Sequence, residues 1–222
     1  MAVMLITGCR RTNGFGQLSA ITYAKQGHTV YATMRDASRG GELLELARES
    51  NLDIQVISHD VTSHQSNQEV VAQILEEQGQ IDVLVNNAGI GAFGAVETMK
   101  EETVREVMEC NYFGGLNLSQ TVLPSMRAKG SGKIIFVSSL AGRFGLPGEG
   151  AYSASKFATE GLAEVLSYEV KRFGIDVCIL EPGFFNTGMS AENTDAQAQF
   201  TQNPDYDAFN AHIIASTRDG EN

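Results

Sequence analysis

The chain is short of positive charge. Its 222 residues carry 16 Lys and Arg against 27 Asp and Glu, a formal charge of −11, and so acidic a balance opposes nucleic acid or an anionic membrane as a partner. Any phosphate it binds must be met locally. Cysteine is scarce too: Cys9, Cys110 and Cys178 are odd in number, far apart, and lie beside or within apolar segments. That pattern excludes a disulfide scaffold and describes free buried thiols in a reducing compartment, so the expected location is cytoplasmic. No apolar run approaches the roughly 18 residues of a membrane-spanning helix, and no basic stretch precedes an apolar one near Met1.

What is present is ordinary for a soluble fold, with 42% hydrophobic and 19% charged residues. A chain of this length buries roughly 70% of the surface it exposes when unfolded, so it needs neither disulfide nor structural metal. Short apolar runs alternate with amphipathic stretches of helical length. "VMLIT" (3–7), "HTVYATM" (28–34), "DIQVISHDV" (53–61), "IDVLVNNAG" (81–89), "KIIFVSS" (133–139) and "IDVCILEPG" (175–183) read as strands. They are continuous rather than alternating, as a parallel sheet covered on both faces requires. The expected fold is therefore α/β, a doubly wound parallel sheet of Rossmann type in a single domain. Between "IDVLVNNAG" and "KIIFVSS" runs a helical stretch, 100–126, with an expected break near Gly114 and Gly115. Residues 191–207 turn polar and read as a mobile loop or lid, and only "HIIAS" follows as an apolar remnant.

In such a sheet, ligands bind beyond the carboxyl ends of the strands, where the strand order reverses. Two segments stand there. "LITGCRRTNGFGQ" (5–17) places Gly8, Gly14 and Gly16 between a strand and a helix, a setting that lets backbone N–H groups approach a pyrophosphate. "SSLAGRFGLPGEGAYSASK" (138–156) places Ser139 ahead of Tyr152 and Lys156, which share one helix face at i and i+4. A phenol has a pKa of about 10, and a fixed ammonium nearby favours the phenolate; a lowering of about three units takes roughly 4 kcal/mol. Spacing alone leaves an ordinary exposed helix pair equally open.

Taken together, "TG…GFG", "HDV", "NNAG", "CNYFG", "VSS", "YSASK" and "EPGFFNTGM" resemble the classical short-chain dehydrogenase/reductase family, in the family's order, over about residues 3–190. The resemblance implies a tetrad. Tyr152 is the general acid/base; Lys156 lowers its pKa and bonds the nicotinamide ribose; Ser139 holds the substrate oxygen; Asn111 anchors a proton-relaying water. It also implies cofactor contacts at Gly8, Gly14 and Gly16, at Asp60 and Val61 beside the adenine, at Asn87 near its ribose, and at Pro182, Gly183, Phe185 and Thr187 near the nicotinamide and diphosphate. Residues 1–190 would then be the dinucleotide-binding and catalytic part, with 191–222 a substrate lid and shortened tail of the same domain. The substrate implied is a small-molecule alcohol or carbonyl compound, with no metal.

Charge decides the cofactor. An acid at the end of the second strand would bind the ribose hydroxyls and repel a 2′-phosphate; Met34 stands there, followed by Arg35. A guanidinium at that point, joined by Arg10 or Arg11, favours NADP(H) over NAD(H), although a register shift to Asp36 would reverse the choice.

The sequence departs from the family twice. Five residues separate Gly8 from Gly14, two more than usual, as in a divergent enoyl reductase branch; the four-residue Tyr152–Lys156 spacing, "NNAG" and Asn111 speak against that branch. The usual seventh strand is expected to be missing, which puts the usual tetramer contacts in doubt and leaves a possible homodimer through the helices after strands four and five. From another class, a nucleotide-binding regulatory or scaffold protein with little turnover remains as an alternative.

Overall fold

The computed structural model describes residues 1–183, 185 and 201–219, the last four of these in backbone only. Six strands form one sheet: β1 (Val3–Ile6), β2 (Thr29–Met34), β3 (Ile54–Ser58), β4 (Val83–Asn86), β5 (Gly132–Val137) and β6 (Ile175–Leu180). All neighbours pair in parallel, in the order β3-β2-β1-β4-β5-β6, with Leu5 between Tyr31 and Leu84. The chain starts in the middle, builds outward to β3, and then crosses to the other side of β1. The order therefore reverses between β1 and β4, and the crevice beyond their carboxyl ends is where such sheets bind ligands.

Alternation along β1 shows why both faces need covering. Val3 and Leu5 join the cluster built from Val70, Val71 and Ile74 of α3 (His64–Gln78), Leu118, Val122 and Met126 of α5 (Gly114–Lys129), and Ala163 and Leu166 of α6 (Gly150–Val170). Met4 and Ile6 point the other way, onto Ala20 and Ala24 of α1 (Phe15–Lys25) and Leu43 and Ala47 of α2 (Gly41–Glu49). The doubly wound α/β fold with six parallel strands is the one the apolar runs imply.

Two elements differ from expectation. The helix over 100–126 does not break at Gly114 and Gly115. Instead α4 (Glu101–Met108) runs through a single π turn, Glu109–Phe113, directly into α5. Gly114 is needed for packing rather than for a break, because a Cβ there would lie 2.9 Å from the Val61 side chain. The second difference is α7 (Pro204–Asp219), a sixteen-residue helix that takes in "HIIAS" and the end of the expected polar loop.

Candidate active site

The glycine loop leaves β1 through Gly8, whose φ of +73° belongs to the left-handed region; a Cβ there would also lie 2.8 Å from the Ala88 Cα. Glycine is required on both counts. The added residues fold outward. Gly14 N donates to Arg11 O at 3.0 Å, closing a turn whose middle residues, Thr12 and Asn13, are exposed, and Thr12 Oγ1 donates to Glu42 of α2 at 2.8 Å. The insertion thus leaves the loop's inner side to Gly8 and Gly16, and α1 begins at Phe15 with its free N–H groups facing the crevice end of the sheet.

Beyond β2, Arg35 is exposed and Asp36 is turned aside: Asp36 Oδ1 accepts from Ser38 N at 3.0 Å and from Ser38 Oγ at 2.6 Å, capping a short 3-10 turn. Those hydrogen bonds hold the Asp36 carboxyl below its usual range. Arg10 is pushed down, first by partial burial and then by the like charges of Arg39 and Arg35. Three guanidiniums therefore gather at this corner. Arg39 was not singled out from the sequence, since only the 3-10 turn brings it back toward the glycine loop. Cys110, whose thiol burial pushes up, feels the charges of both Arg35 and Arg11.

At the end of β3, Asp60 Oδ1 accepts from Thr62 N and Thr62 Oγ1 at 3.0 and 2.8 Å, and Val61 is buried. His59 anchors this segment, another residue the sequence reading passed over. Its Nε2 lies 2.7 Å from Asn67 Oδ1, its Nδ1 3.0 Å from Thr33 Oγ1, and Asn67 Nδ2 donates to Val61 O. Because Asn67 spends its amide on Val61, its oxygen must accept, so the histidine proton sits on Nε2. Burial keeps the ring neutral by lowering its pKa.

Asn87 stitches β4 to the glycine loop: Nδ2 donates to Thr7 O at 2.8 Å and to Gly8 O at 3.2 Å, while its N–H donates to Thr7 Oγ1. Asn86 is structural, donating to Ser119 Oγ. Asn111 sits in the π turn. There its Oδ1 accepts from Ile90 N at 2.8 Å, and its Nδ2 donates to Ile90 O and Ser155 Oγ, both at 2.9 Å. A π turn widens the helix and re-aims one residue, a distortion common at functional sites. Here it turns Asn111 toward the end of β4.

Ser139 and Tyr152 meet across the loop after β5, where their side chains hydrogen-bond; Ser139 Oγ also accepts from Ala141 N. Lys156 is 4% exposed, its Nζ 5.5 Å from the Tyr152 ring centroid and donating to Val137 O at 2.8 Å. Burial pushes Lys156 down to about 8. Tyr152 goes up rather than down, to about 12, because burial outweighs the hydrogen bond from Ser139 and the charge of Glu149 adds to the rise. The lowering expected from Lys156 does not appear in this geometry. Beside these groups, a cavity about the size of one water is lined by Asn111, Thr159, Cys110, Asn86 and Thr7.

The loop after β6 closes this corner. Leu140 N donates to Pro182 O at 3.0 Å, Gly183 lies beside Leu140, and the Phe185 ring stands edge-on to Phe15 with centroids 5.4 Å apart, over the start of α1. Thr187 lies outside the described residues. On the opposite side, α7 docks through Asn210, whose buried Oδ1 accepts from Ala95 N at 2.8 Å, and through Tyr206, which donates to Glu97 at 2.7 Å. Among the described residues, no group of His, Cys, Asp and Glu is arranged to hold a metal ion.

The short chain dehydrogenase family profile matches residues 2–198. This chain belongs to the short-chain dehydrogenase family. It is 44% identical over 208 residues to a 3-ketodihydrosphingosine reductase of Bacteroides thetaiotaomicron, covering 93% of this chain and 72% of that one. To mouse 17-beta-hydroxysteroid dehydrogenase type 1 it is 36% identical over 213 residues, 89% of this chain and 61% of the relative. A metagenomic short-chain oxidoreductase solved in complex with NADP superposes with a TM-score of 0.78 at 29% identity, covering 82% of each chain. The short-chain dehydrogenases are oxidoreductases. No helix among the described residues is long and apolar enough to cross a membrane.

Proposed function

We propose that this short-chain dehydrogenase transfers a hydride between NADP(H) and an alcohol or carbonyl substrate. The observation that carries the reading is the meeting of Ser139, Tyr152 and Lys156 at one end of the sheet, with Asn111 re-aimed toward them by the π turn. The cofactor, when bound, supplies or accepts the hydride; the side chains do the rest. Ser139 hydrogen-bonds the substrate oxygen and orients it. Tyr152, neutral at physiological pH, gives its proton to that oxygen during reduction and takes one from an alcohol in the reverse direction. The Lys156 ammonium steadies the phenolate left behind and bonds the nicotinamide ribose. A water in the cavity beside Asn111 returns the proton.

The choice of NADP(H) is supported by the corner beyond β2. Arg35 and Arg39 lie close enough to Arg10 to lower its pKa, a concentration of positive charge that suits a 2′-phosphate, and Asp36 is engaged with Ser38. Arg11 would add positive charge for the phosphates, Asp60 and Val61 would hold the adenine, and Pro182, Gly183 and Phe185 would hold the nicotinamide side. Titration of NADPH and NADH by fluorescence tests this. Arg35→Ala and Arg39→Ala each weaken NADPH at least tenfold and NADH less than threefold; equal losses for both cofactors overturn the NADP(H) assignment. In the same assay Tyr152→Phe keeps cofactor affinity and loses at least a hundredfold in turnover. Tight cofactor binding with no turnover of any carbonyl compound supports a regulatory or scaffold role instead.

A further inference from the structure

Two buried oxygens near the tyrosine and lysine are left over by this chemistry. Ser138 is 3% exposed, and its Oγ, like Oε1 of Glu160, is shut away from solvent with no hydrogen-bond partner among the described residues. Both reach the same spot. A Cβ built on Gly142 would lie 2.6 Å from Ser138 Oγ and 3.1 Å from Glu160 Oε1. Glycine in the turn after Ser139 thus keeps open a gap that any other side chain would fill, with a hydroxyl and a carboxylate facing into it. Buried polar groups left unpaired are costly, and one water between them satisfies both, donating to the carboxylate and sharing a proton with the hydroxyl.

The same two groups join the elements that carry the site. Lys156 and Glu160 stand one turn apart on α6, neighbours at i and i+4. Lys156 Nζ donates to Val137 O, at the last residue of β5, and Glu160 faces Ser138, the next residue along. Successive turns of α6 therefore grip successive residues at the end of β5, immediately before Ser139, whose carbonyl accepts from Gly142 N at 2.9 Å. The titratable groups that face Lys156 are Tyr152 and Glu160 on its own helix and Cys110 in the π turn, while β5 meets it with Val137 O and the loop after β4 with Gly89. Burial pushes the ammonium down to about 8, and Cys110 and Glu160 act in the opposite sense. Burial also raises the Cys110 thiol, which leaves the Glu160 carboxylate as the counter-charge at pH 7.

Resting on the reductase reading, we infer that Glu160 is a positioning residue. An internal water at Gly142 ties its carboxylate to Ser138, and the tie fixes Lys156, one turn back on α6, at the end of β5 with a counter-charge beside it.

Urea denaturation reads the pairing without turnover. Glu160→Gln keeps the shape and the hydrogen bond to water but removes the charge, so it lowers the midpoint more at pH 7, where Lys156 is charged, than at pH 10, where it is not. On a Lys156→Met background its effect is the same at both. A loss that does not change with pH in the presence of Lys156 overturns the pairing. Fluorescence titration of NADPH ties the pairing to function: affinity falls through about pH 8 as Lys156 loses its proton, and in Glu160→Gln the fall begins lower by about half a pH unit or more. A fall that is absent or unshifted leaves Glu160 a packing residue and overturns the inference. Failure of NADPH to bind at all overturns the cofactor reading instead, and the urea comparison still decides the pairing. A crystal structure of the wild type tests the bridge and needs no variant to fold: a water within hydrogen-bond distance of Ser138 Oγ and Glu160 Oε1 is expected, and direct contact between the two, or no water joining them, refutes it.

Discussion

Lys156 carries a cost that its neighbours do not remove. In the unfolded chain its ammonium persists to about pH 10.5, in the folded protein only to about 8. Between these values the unfolded state binds more protons, so this group makes stability rise with pH; below about 8 its full cost is present. A shift of that size corresponds to about 3 kcal/mol. The hydrogen bond to Val137 O returns about 1 kcal/mol. Lys156→Met is therefore expected to stabilise the fold at pH 7 by about 1–3 kcal/mol in urea denaturation, with the gain shrinking toward pH 10, while turnover is lost. A stability loss at pH 7 would contradict the burial argument. On the proposed mechanism the same titration is expected to make carbonyl reduction decline as pH rises through about 8, since the Lys156 charge proposed to steady the Tyr152 phenolate disappears while the phenol itself stays protonated. A rate profile flat from pH 7 to pH 10 would detach Lys156 from that role.

Among the elements, α7 depends on one polar contact. Asn210 is 3% exposed and accepts the Ala95 N–H from a segment 115 residues earlier. Asn210→Leu fills the site but strands that buried donor, a cost of about 1–3 kcal/mol. The variant is expected to keep the sheet's far-UV signal while limited proteolysis cuts sooner near the start of α7; protection equal to the wild type would show that Tyr206 and Ile213 hold the helix by themselves. Neither α7 nor Asn210 was legible in the sequence. Tyr206, Phe209 and Ile213 recur at helical spacing among polar residues, and the surface they cover is built from loops distant in the chain. The strands were legible because burial on both faces makes each a continuous apolar run. The π turn was not, because two adjacent glycines resemble a break, and only the packing of Val61 on Gly114 shows why glycine is there. At the site, Ser139, Tyr152, Lys156 and Asn111 stood out through motif and order, whereas Arg39 and His59 enter through tertiary folding, and the upward shift of Tyr152 reflects burial that no spacing reveals.

On the scale of the whole molecule, the outer face of α6 remains to be accounted for. Ala154, Phe157, Gly161, Val165 and Tyr168 follow one another at helical intervals and are all exposed, Phe157 at 47%, Val165 at 54% and Tyr168 at 71%. Phe113, at the junction of the π turn and α5, adds a further exposed ring. A small residue at Gly161 in the middle of the stripe permits close approach of a second helix, and an apolar patch of this kind on an acidic protein marks an interaction surface. We propose that two copies meet here, through the helices that follow β4 and β5, in a two-fold arrangement that sets α6 against its own copy. Tyr152 and Lys156, the pair proposed to carry the chemistry, lie in the same helix, so dimerisation would stiffen the element that positions them. Light scattering is expected to give twice the chain mass for the wild type and the single mass for Val165→Glu, whose charge would be buried against its own counterpart. A wild type that stays monomeric at micromolar concentration, or a Val165→Glu variant that still pairs, would place the contact elsewhere.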